Sequence, residues 1–413
     1  PAATQASDVF NLEGMNSYVR SSKKSSSKRF DSNTFINKVN EDLATKEGSI
    51  DDQNIFEAGS FSDTTTMDGK VVFSVGSVET EDAFDPPTYD GKVMANYTYQ
   101  MNLNTSFNGG DNLYIRLKTG NHDGPSDKKS VYNTYLGAAN GKADIFTVDK
   151  IWYTMPVGDT NNTIFIGPAV ENYYMHGTTP SIYKSVLKSF TLGGNAAAYG
   201  ASTSPGAGWK YEADNGFAVS SNFTTQDGED TNGMLTEQGK TSWATQVGIT
   251  KPQYSVSAIM NMKYNGWVDE YYMSTDGSKR PTSTGGTKGD STNIGLRGWW
   301  RPLETGTATP SVSVGYDTSK TDASTGGDST DSYFVGLTWQ DMISADDRIG
   351  LAFGQPQKHE DDTVDPFLYE LYYDYKVNDS ITVTPAIFGG TSKNSAGAEV
   401  DMTGYVVNTT FKF

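Results

Sequence analysis

The sequence predicts an all-β fold, a transmembrane antiparallel β-barrel of about sixteen strands preceded by a short N-terminal helix and linker region. Three observations carry that reading. Apolar and polar residues alternate with a period of two along runs of roughly 8–12 residues, the pattern of a half-buried strand. The connections between these runs alternate between short and long. The chain closes on an apolar strand, GYVVNTTFKF (404–413), whose last residue is Phe413.

The alternation is clearest in MANYTYQMNLN (94–104), where Ala95, Tyr97, Tyr99, Met101 and Leu103 oppose Asn96, Thr98, Gln100, Asn102 and Asn104. YSVSAIMNMKY (254–264) sets Tyr254, Val256, Ala258, Met260, Met262 and Tyr264 against Ser255, Ser257, Asn261 and Lys263. Runs of this kind are expected near 69–79, 92–106, 111–120, 145–156, 162–170, 206–213, 216–226, 241–250, 253–265, 292–302, 309–319, 331–341, 347–356, 366–376, 380–390 and 402–413.

Between them lie short turns such as NGGD (108–111), ADNG (213–216), KPQ (251–253) and VNDS (377–380), and long polar segments at 121–144, 171–205, 227–240, 266–291 and 319–331. A soluble sandwich has no reason to sort its loops by parity, whereas a membrane barrel has short turns at one end and long loops at the other. Backbone in hydrocarbon must be bonded internally, so a sheet spans only when closed. The apolar set then faces lipid and the polar set an aqueous lumen. Tyr97, Tyr99, Trp299, Trp300, Trp339, Tyr372 and Tyr373 are expected in the interfacial girdles.

Composition removes several function classes. The 413 residues contain no cysteine, which excludes disulfides and thiolate chemistry. A formal charge of −18 argues against nucleic acid as a partner. His122, His176 and His359 are expected in Gly/Asp/Pro-rich loops, without the paired spacing of a zinc site or of a nucleophile–base pair, so no catalytic residues and no enzyme activity are expected. PAATQASD (1–8) reads as the start of a mature exported protein.

Residues 1–65 form a separate region and 66–413 the barrel. VRSSKKSSSKRF (19–30) is a basic tether whose Arg20, Lys23, Lys24, Lys28 and Arg29 could contact anionic cell-wall polymer. Residues 31–48 place Phe35, Ile36, Val39 and Leu43 on one helical face.

Within the barrel, register turns Arg116, Lys118, Lys263, Arg297, Arg301 and Arg348 to the lumen, with Glu370 and Asp374 supplying acid from opposing strands. A charge on the lipid face would cost a few kcal/mol at the midplane. The long connection 171–205 is expected to fold inward as a constriction. Its Tyr173, Tyr174 and Tyr183 would offer aromatic faces and Lys184 and Lys188 cations; alternatively, Tyr183, Val186 and Leu187 simply pack the loop against the wall. Acidic runs, including the one with Asp361 and Asp362, form a solvated rim or weakly hold Ca²⁺. No other cofactor is expected.

FSDTTTMDGKVVFSVGSV (61–78), YFVGLTWQDMISADDRIGLAFGQPQ (333–357), YELYYDYKVNDSITVTPAIFGGT (369–391) and the terminal strand resemble the carbohydrate-selective porin (OprB-type) family in its cyanobacterial branch. The resemblance implies a sixteen-stranded outer-membrane porin, usually a homotrimer, that passes small solutes passively. It also implies contacts with outer-membrane lipid and lipopolysaccharide, and a C-terminal aromatic, here Phe413, read by the barrel-assembly machinery. Members of that branch carry an S-layer-homology domain that grips polymer linked to peptidoglycan; here only the basic tether stands in its place. A barrel enzyme and a tether with a largely closed lumen are the competing readings.

Overall fold

The computed structural model of the protein describes residues 64–413 apart from 82–89, 123–134, 142–143, 159, 195, 200–202, 227, 232, 268–288, 323–326 and 394–396. The basic tether and the helix expected at 31–48 therefore lie outside the described residues.

The strands are β1 (Thr65–Thr80), β2 (Met94–Thr105), β3 (Asn112–His122), β4 (Asn140–Gly141), β5 (Thr147–Pro156), β6 (Asn162–Val170), β7 (Ser204–Glu212), β8 (Phe217–Gln226) and β9 (Lys240–Thr250). They continue as β10 (Tyr254–Lys263), β11 (Ser291–Trp300), β12 (Ser311–Thr321), β13 (Ser329–Gln340), β14 (Arg348–His359), β15 (Phe367–Lys376), β16 (Ile381–Lys393) and β17 (Glu399–Lys412). β4 is a two-residue strip against the end of β3. The other sixteen pair antiparallel with their chain neighbours, and β1 also pairs with β17, so the sheet closes on itself. Closure reaches the terminal residue: the Gly69 N–H donates to the Phe413 carbonyl at 2.9 Å, and the Phe413 N–H donates to that of Gly69 at 3.1 Å.

All sixteen expected runs are strands, with ends moved by a few residues. The loop parity holds over the first ten barrel strands and fades afterwards. There β12 to β17 keep pairing beyond the expected ends, out to Lys393 opposite Glu399, so the connections 322–328, 360–366 and 394–398 are only five to seven residues long. His122 and His359 end β3 and β14 instead of lying in loops.

The barrel is inside out relative to a soluble domain. Phe73, Val256, Leu296, Val314, Ile387 and Val407 are exposed on the outer face, while Gln100, Asn102, Asn222, Asn261, Asn293 and Ser313 are buried within. Exposed apolar bands on this scale are stable only against lipid or another apolar surface. Tyr254 and Trp300 pair outside near the short turns, and Tyr316 and Tyr333 pair outside nearer the long loops. Trp299 and Tyr372, expected in these girdles, instead point inward and are buried. Each directly follows or precedes an outward aromatic, Trp300 or Tyr373, and the pleat sends neighbours to opposite faces.

Candidate pore constriction

The segment 171–203 folds into the barrel, as its length and polarity predict. It contains two 3₁₀ turns, Asn172–Met175 and Lys188–Gly193. Nearly all of its described side chains are buried, so the lumen is not a uniformly wet tube lined by polar residues. Two apolar clusters flank the loop. One joins Tyr173, Tyr174, Met175, Leu192 and Tyr199 to Tyr114, Trp152 and Phe165 of the wall. The other joins Tyr183, Val186, Leu187 and Phe190 to Phe334, Leu368, Tyr372, Phe388 and Val406.

This corrects the expected exposure of the loop tyrosines. Tyr173 retains 2%, Tyr174 4% and Tyr183 1% of its surface, so their ring faces are spent on packing against other rings: Tyr183 lies 5.6 Å from Phe334 and 5.9 Å from Tyr372. Lys188 is likewise buried, 5.4 Å over the Tyr135 ring. Lys184 does line open space, described below.

Two inward charges of the wall fasten the loop. Glu370 accepts from the Tyr183 hydroxyl at 2.9 Å, the Val186 N–H at 3.0 Å and the Leu187 N–H at 2.6 Å. Arg297 donates to the carbonyls of Leu192 at 2.7 Å and Gly194 at 2.9 Å, with Asp317 at 2.8 Å and the Tyr199 ring at 4.8 Å. Neutral donors add to these: Trp299 Nε1 to the Thr179 carbonyl at 3.0 Å and Asn261 Nδ2 to that of Ala198 at 3.2 Å. A second segment, 135–141, braces the loop through the Gly137 N–H on the Val186 carbonyl and the Lys188 N–H on the Tyr135 carbonyl, both 2.8 Å.

Glycine makes room for this backbone. A Cβ at Gly315 of β12 would stand 1.7 Å from the Gly193 carbonyl oxygen, and Gly193 itself has φ +75°.

The remaining predicted residues fall into separate groups. Arg116 and Lys118 face inward from β3 and are buried. Arg116 donates to Asn102 at 3.0 Å and to the Tyr174 hydroxyl at 3.3 Å, and lies 4.0 Å from Asp149. Lys150 stands next to it and pairs with Glu171 at the start of the loop. Lys263 is buried, 5.9 Å over the Trp267 ring. Arg348 and Asp374 form an ion pair at 3.7 Å, and Asp374 also accepts from Thr384 at 2.6 Å.

Arg301 is a correction: it lies past the end of β11, exposed on the turn, where it donates to the Pro252 carbonyl at 2.6 Å. Its parity is that of Arg297, but the strand stops before it. Asp361 and Asp362 are engaged within the protein, by the Gly327 N–H at 2.8 Å and Lys393 at 3.0 Å respectively. Among the described residues no three metal-ligating side chains converge.

Sequence reasoning missed Asp149, Lys150, Glu171 and Asp317. The first pair sits at a bulge, where the β3–β5 register steps from Arg116 opposite Lys150 to Leu117 opposite Val148. Both are buried in succession, which strict alternation forbids. Asp317 was open to detection, since the outward Val314 and Tyr316 fix its inward face.

At the short-turn end a cavity of about 380 Å³ remains beside the loop, walled by β1, β15, β16 and β17 and reaching Lys184, Ser185 and Val186. Its lining carries both cations and carboxylates, with Arg348 and Lys376 paired to Asp374, Asp346 and Asp379. Lys70, Lys412 and Lys184 belong to the seam and loop, and Asp341, Asp346 and Asp379 to the turns 341–347 and 377–380.

No family model and no curated protein matches this chain. Among solved structures, the loop L8 deletion mutant of OmpT, an outer membrane protein of Vibrio cholerae, superposes with a TM-score of 0.52 at 13% identity, over 85% of this chain and 99% of that one. OmpT in its trimer form gives 0.51 at 14%, over 85% and 99%. A mutant Rh. blastica porin gives 0.51 at 10%, over 84% of this chain and 100% of that one. At these identities the likeness is one of fold, and the fold is the closed sixteen-strand barrel that these outer-membrane proteins share.

Proposed function

We propose that the chain is an outer-membrane porin that lets small hydrophilic solutes diffuse passively past a fixed loop. The observation that carries this is the polarity of the closed barrel: apolar outside across every strand, polar and charged inside, with one long loop anchored in the lumen. No catalytic role is assigned to any residue. The stretches that resemble carbohydrate-selective porins extend the reading to ions or sugars as solutes and to a homotrimer. They also extend it to lipid and lipopolysaccharide around the barrel and to assembly by the outer-membrane barrel machinery. The basic side chains of residues 19–30 extend it further, to contact with anionic cell-wall polymer.

The two apolar clusters that fill much of the lumen favour a second reading, a tether whose barrel is largely closed. Liposome swelling separates the two. Vesicles carrying the folded protein should swell in isotonic solutions of small sugars, at rates that fall as the sugar grows. Vesicles that stay osmotically tight with folded protein inserted would remove the diffusion reading and leave the tether.

A further inference from the structure

We propose that the segment 135–141 is a second constriction element, and that Ala138 sets the size limit of the passage at the inner end of the short-turn cavity. This rests on the porin reading and adds to it the residue that decides which solutes fit.

Inside the lumen, residues 135–141 and 183–188 run side by side as a short antiparallel strip. Leu136 and Leu187 form its bridge, flanked by the Gly137 N–H on the Val186 carbonyl and the Lys188 N–H on the Tyr135 carbonyl. The two halves come from different connections of the barrel, and each has its own fixings on the wall. Glu370 of β15 holds residues 183–187. Residues 135–141 are held by β2 and β3 instead. The Thr98 hydroxyl donates to the Ala138 carbonyl at 2.8 Å, and Asn140 and Gly141 pair with His122 and Asn121. The strip is thus fastened at both edges.

This strip closes the inner end of the cavity of about 380 Å³. Ala138, Lys184, Ser185 and Val186 line it from the lumen side, and all its other lining residues belong to strands and turns. On the wall the lining stops at one level. Val72, Asn408, Thr384 and Tyr372 are the last inward residues of β1, β17, β16 and β15 to reach it. The next inward residues, Ser74, Val406, Ala386 and Glu370, are buried. Val406 and Ala386 belong to the apolar cluster that contains Leu136, Ala139, Val186 and Leu187, so beyond that level the wall and the strip are in contact. A solute leaving the cavity inward therefore meets the strip. Among residues 135–140 only Ala138 is not buried. Its carbonyl is pinned by Thr98, so its backbone cannot retreat, and whatever is added at its Cβ takes space from the passage. Lys184, by contrast, can swing a long side chain aside.

The test uses the absence of cysteine from the chain. Single cysteines are introduced into the full chain, the protein is folded and inserted in a planar bilayer, and sulfonatoethyl methanethiosulfonate is added afterwards, so that folding precedes the added bulk. Mass spectrometry of the same folded sample reads the modification. Ala138→Cys should be modified and lose roughly half or more of its conductance. Thr382→Cys, on the cavity wall nearer the mouth, should be modified with a much smaller loss. Ala139→Cys, buried beside Ala138, should stay unmodified, and the wild type should not respond.

Open channels in which Ala138→Cys stays unmodified, or loses no more conductance than Thr382→Cys, would overturn the second constriction and leave the porin reading intact. Folded protein that never conducts, with Ala138→Cys modified, would remove the porin reading and the constriction with it.

Discussion

Glu370 shows how a single inward residue decides what the lumen does. Its two carboxylate oxygens satisfy the N–H groups of Val186 and Leu187 and the Tyr183 hydroxyl, all out of contact with water. Glu370→Gln keeps the shape but replaces one acceptor by a donor, so a buried N–H loses its partner. The expected cost is about 1–3 kcal/mol, read as a lower urea midpoint for the detergent-folded protein, and single-channel current should become noisier as residues 183–187 loosen.

At the turns, Asp111 works by the same logic in a wetter place. Burial pushes its carboxyl up, but hydrogen bonds from Tyr153, the Asn108 N–H, Ser106 and the Phe107 N–H outweigh this and hold it at about 2 against an ordinary 3.8. Asp347 repeats the arrangement with Tyr373 and three N–H groups and is also lowered. A carboxylate depressed in the folded state stabilises above its unfolded value and loses that contribution as pH falls through its folded one. Thermal stability should therefore drop between about pH 4 and about pH 2. Asp111→Asn should flatten part of that slope, which melts at stepped pH will show.

At the scale of elements, the loop 171–203 is a fixture, because its backbone is received by glycines and held by charges from strands on two sides of the barrel. Gly315→Ala is the sharpest probe. The new methyl would overlap the Gly193 carbonyl, and backbone, unlike a flexible side-chain tip, cannot step aside cheaply. The Lys188–Gly193 turn should lift from β12. Conductance should rise or fluctuate while the barrel stays folded, a combination that bilayer recording and heat-modified gel mobility read together. Unchanged conductance would mean that this part of the loop does not bound the passage.

The same scale shows what sequence can reveal. Strands were legible throughout, since a membrane barrel keeps strict alternation wherever lipid touches it, and Arg297 and Glu370 followed from their neighbours' parity. Asp149 did not, because a bulge turns it inward beside Lys150, and neither did Arg301, because parity says nothing about where a strand stops. The loop's tyrosines illustrate a different limit: sequence placed them inside the barrel, but only the wall opposite decides whether a ring faces solvent or Phe334.

For the whole molecule, closure and inverted polarity together set the environment. Leu296 is exposed outside, next to inward Arg297. Leu296→Arg should cost about 2–4 kcal/mol if this position sits near the bilayer midplane and should depress refolding yield into lipid vesicles, whereas Thr382→Lys, which faces the open cavity inside, should refold well. Alternation read from sequence anticipated this inversion. It did not anticipate two apolar clusters inside, because Leu368, Phe388 and Val406 look like ordinary strand residues until the loop that covers them is in place.

The most direct test of the account is single-channel recording in a planar bilayer, comparing the wild type with a chain in which residues 181–194 are replaced by a short glycine–serine link. The account predicts discrete ohmic steps for the wild type and larger steps for the variant, since the loop narrows an otherwise open barrel. Folded wild-type protein that never conducts, or a variant with unchanged steps, would contradict it.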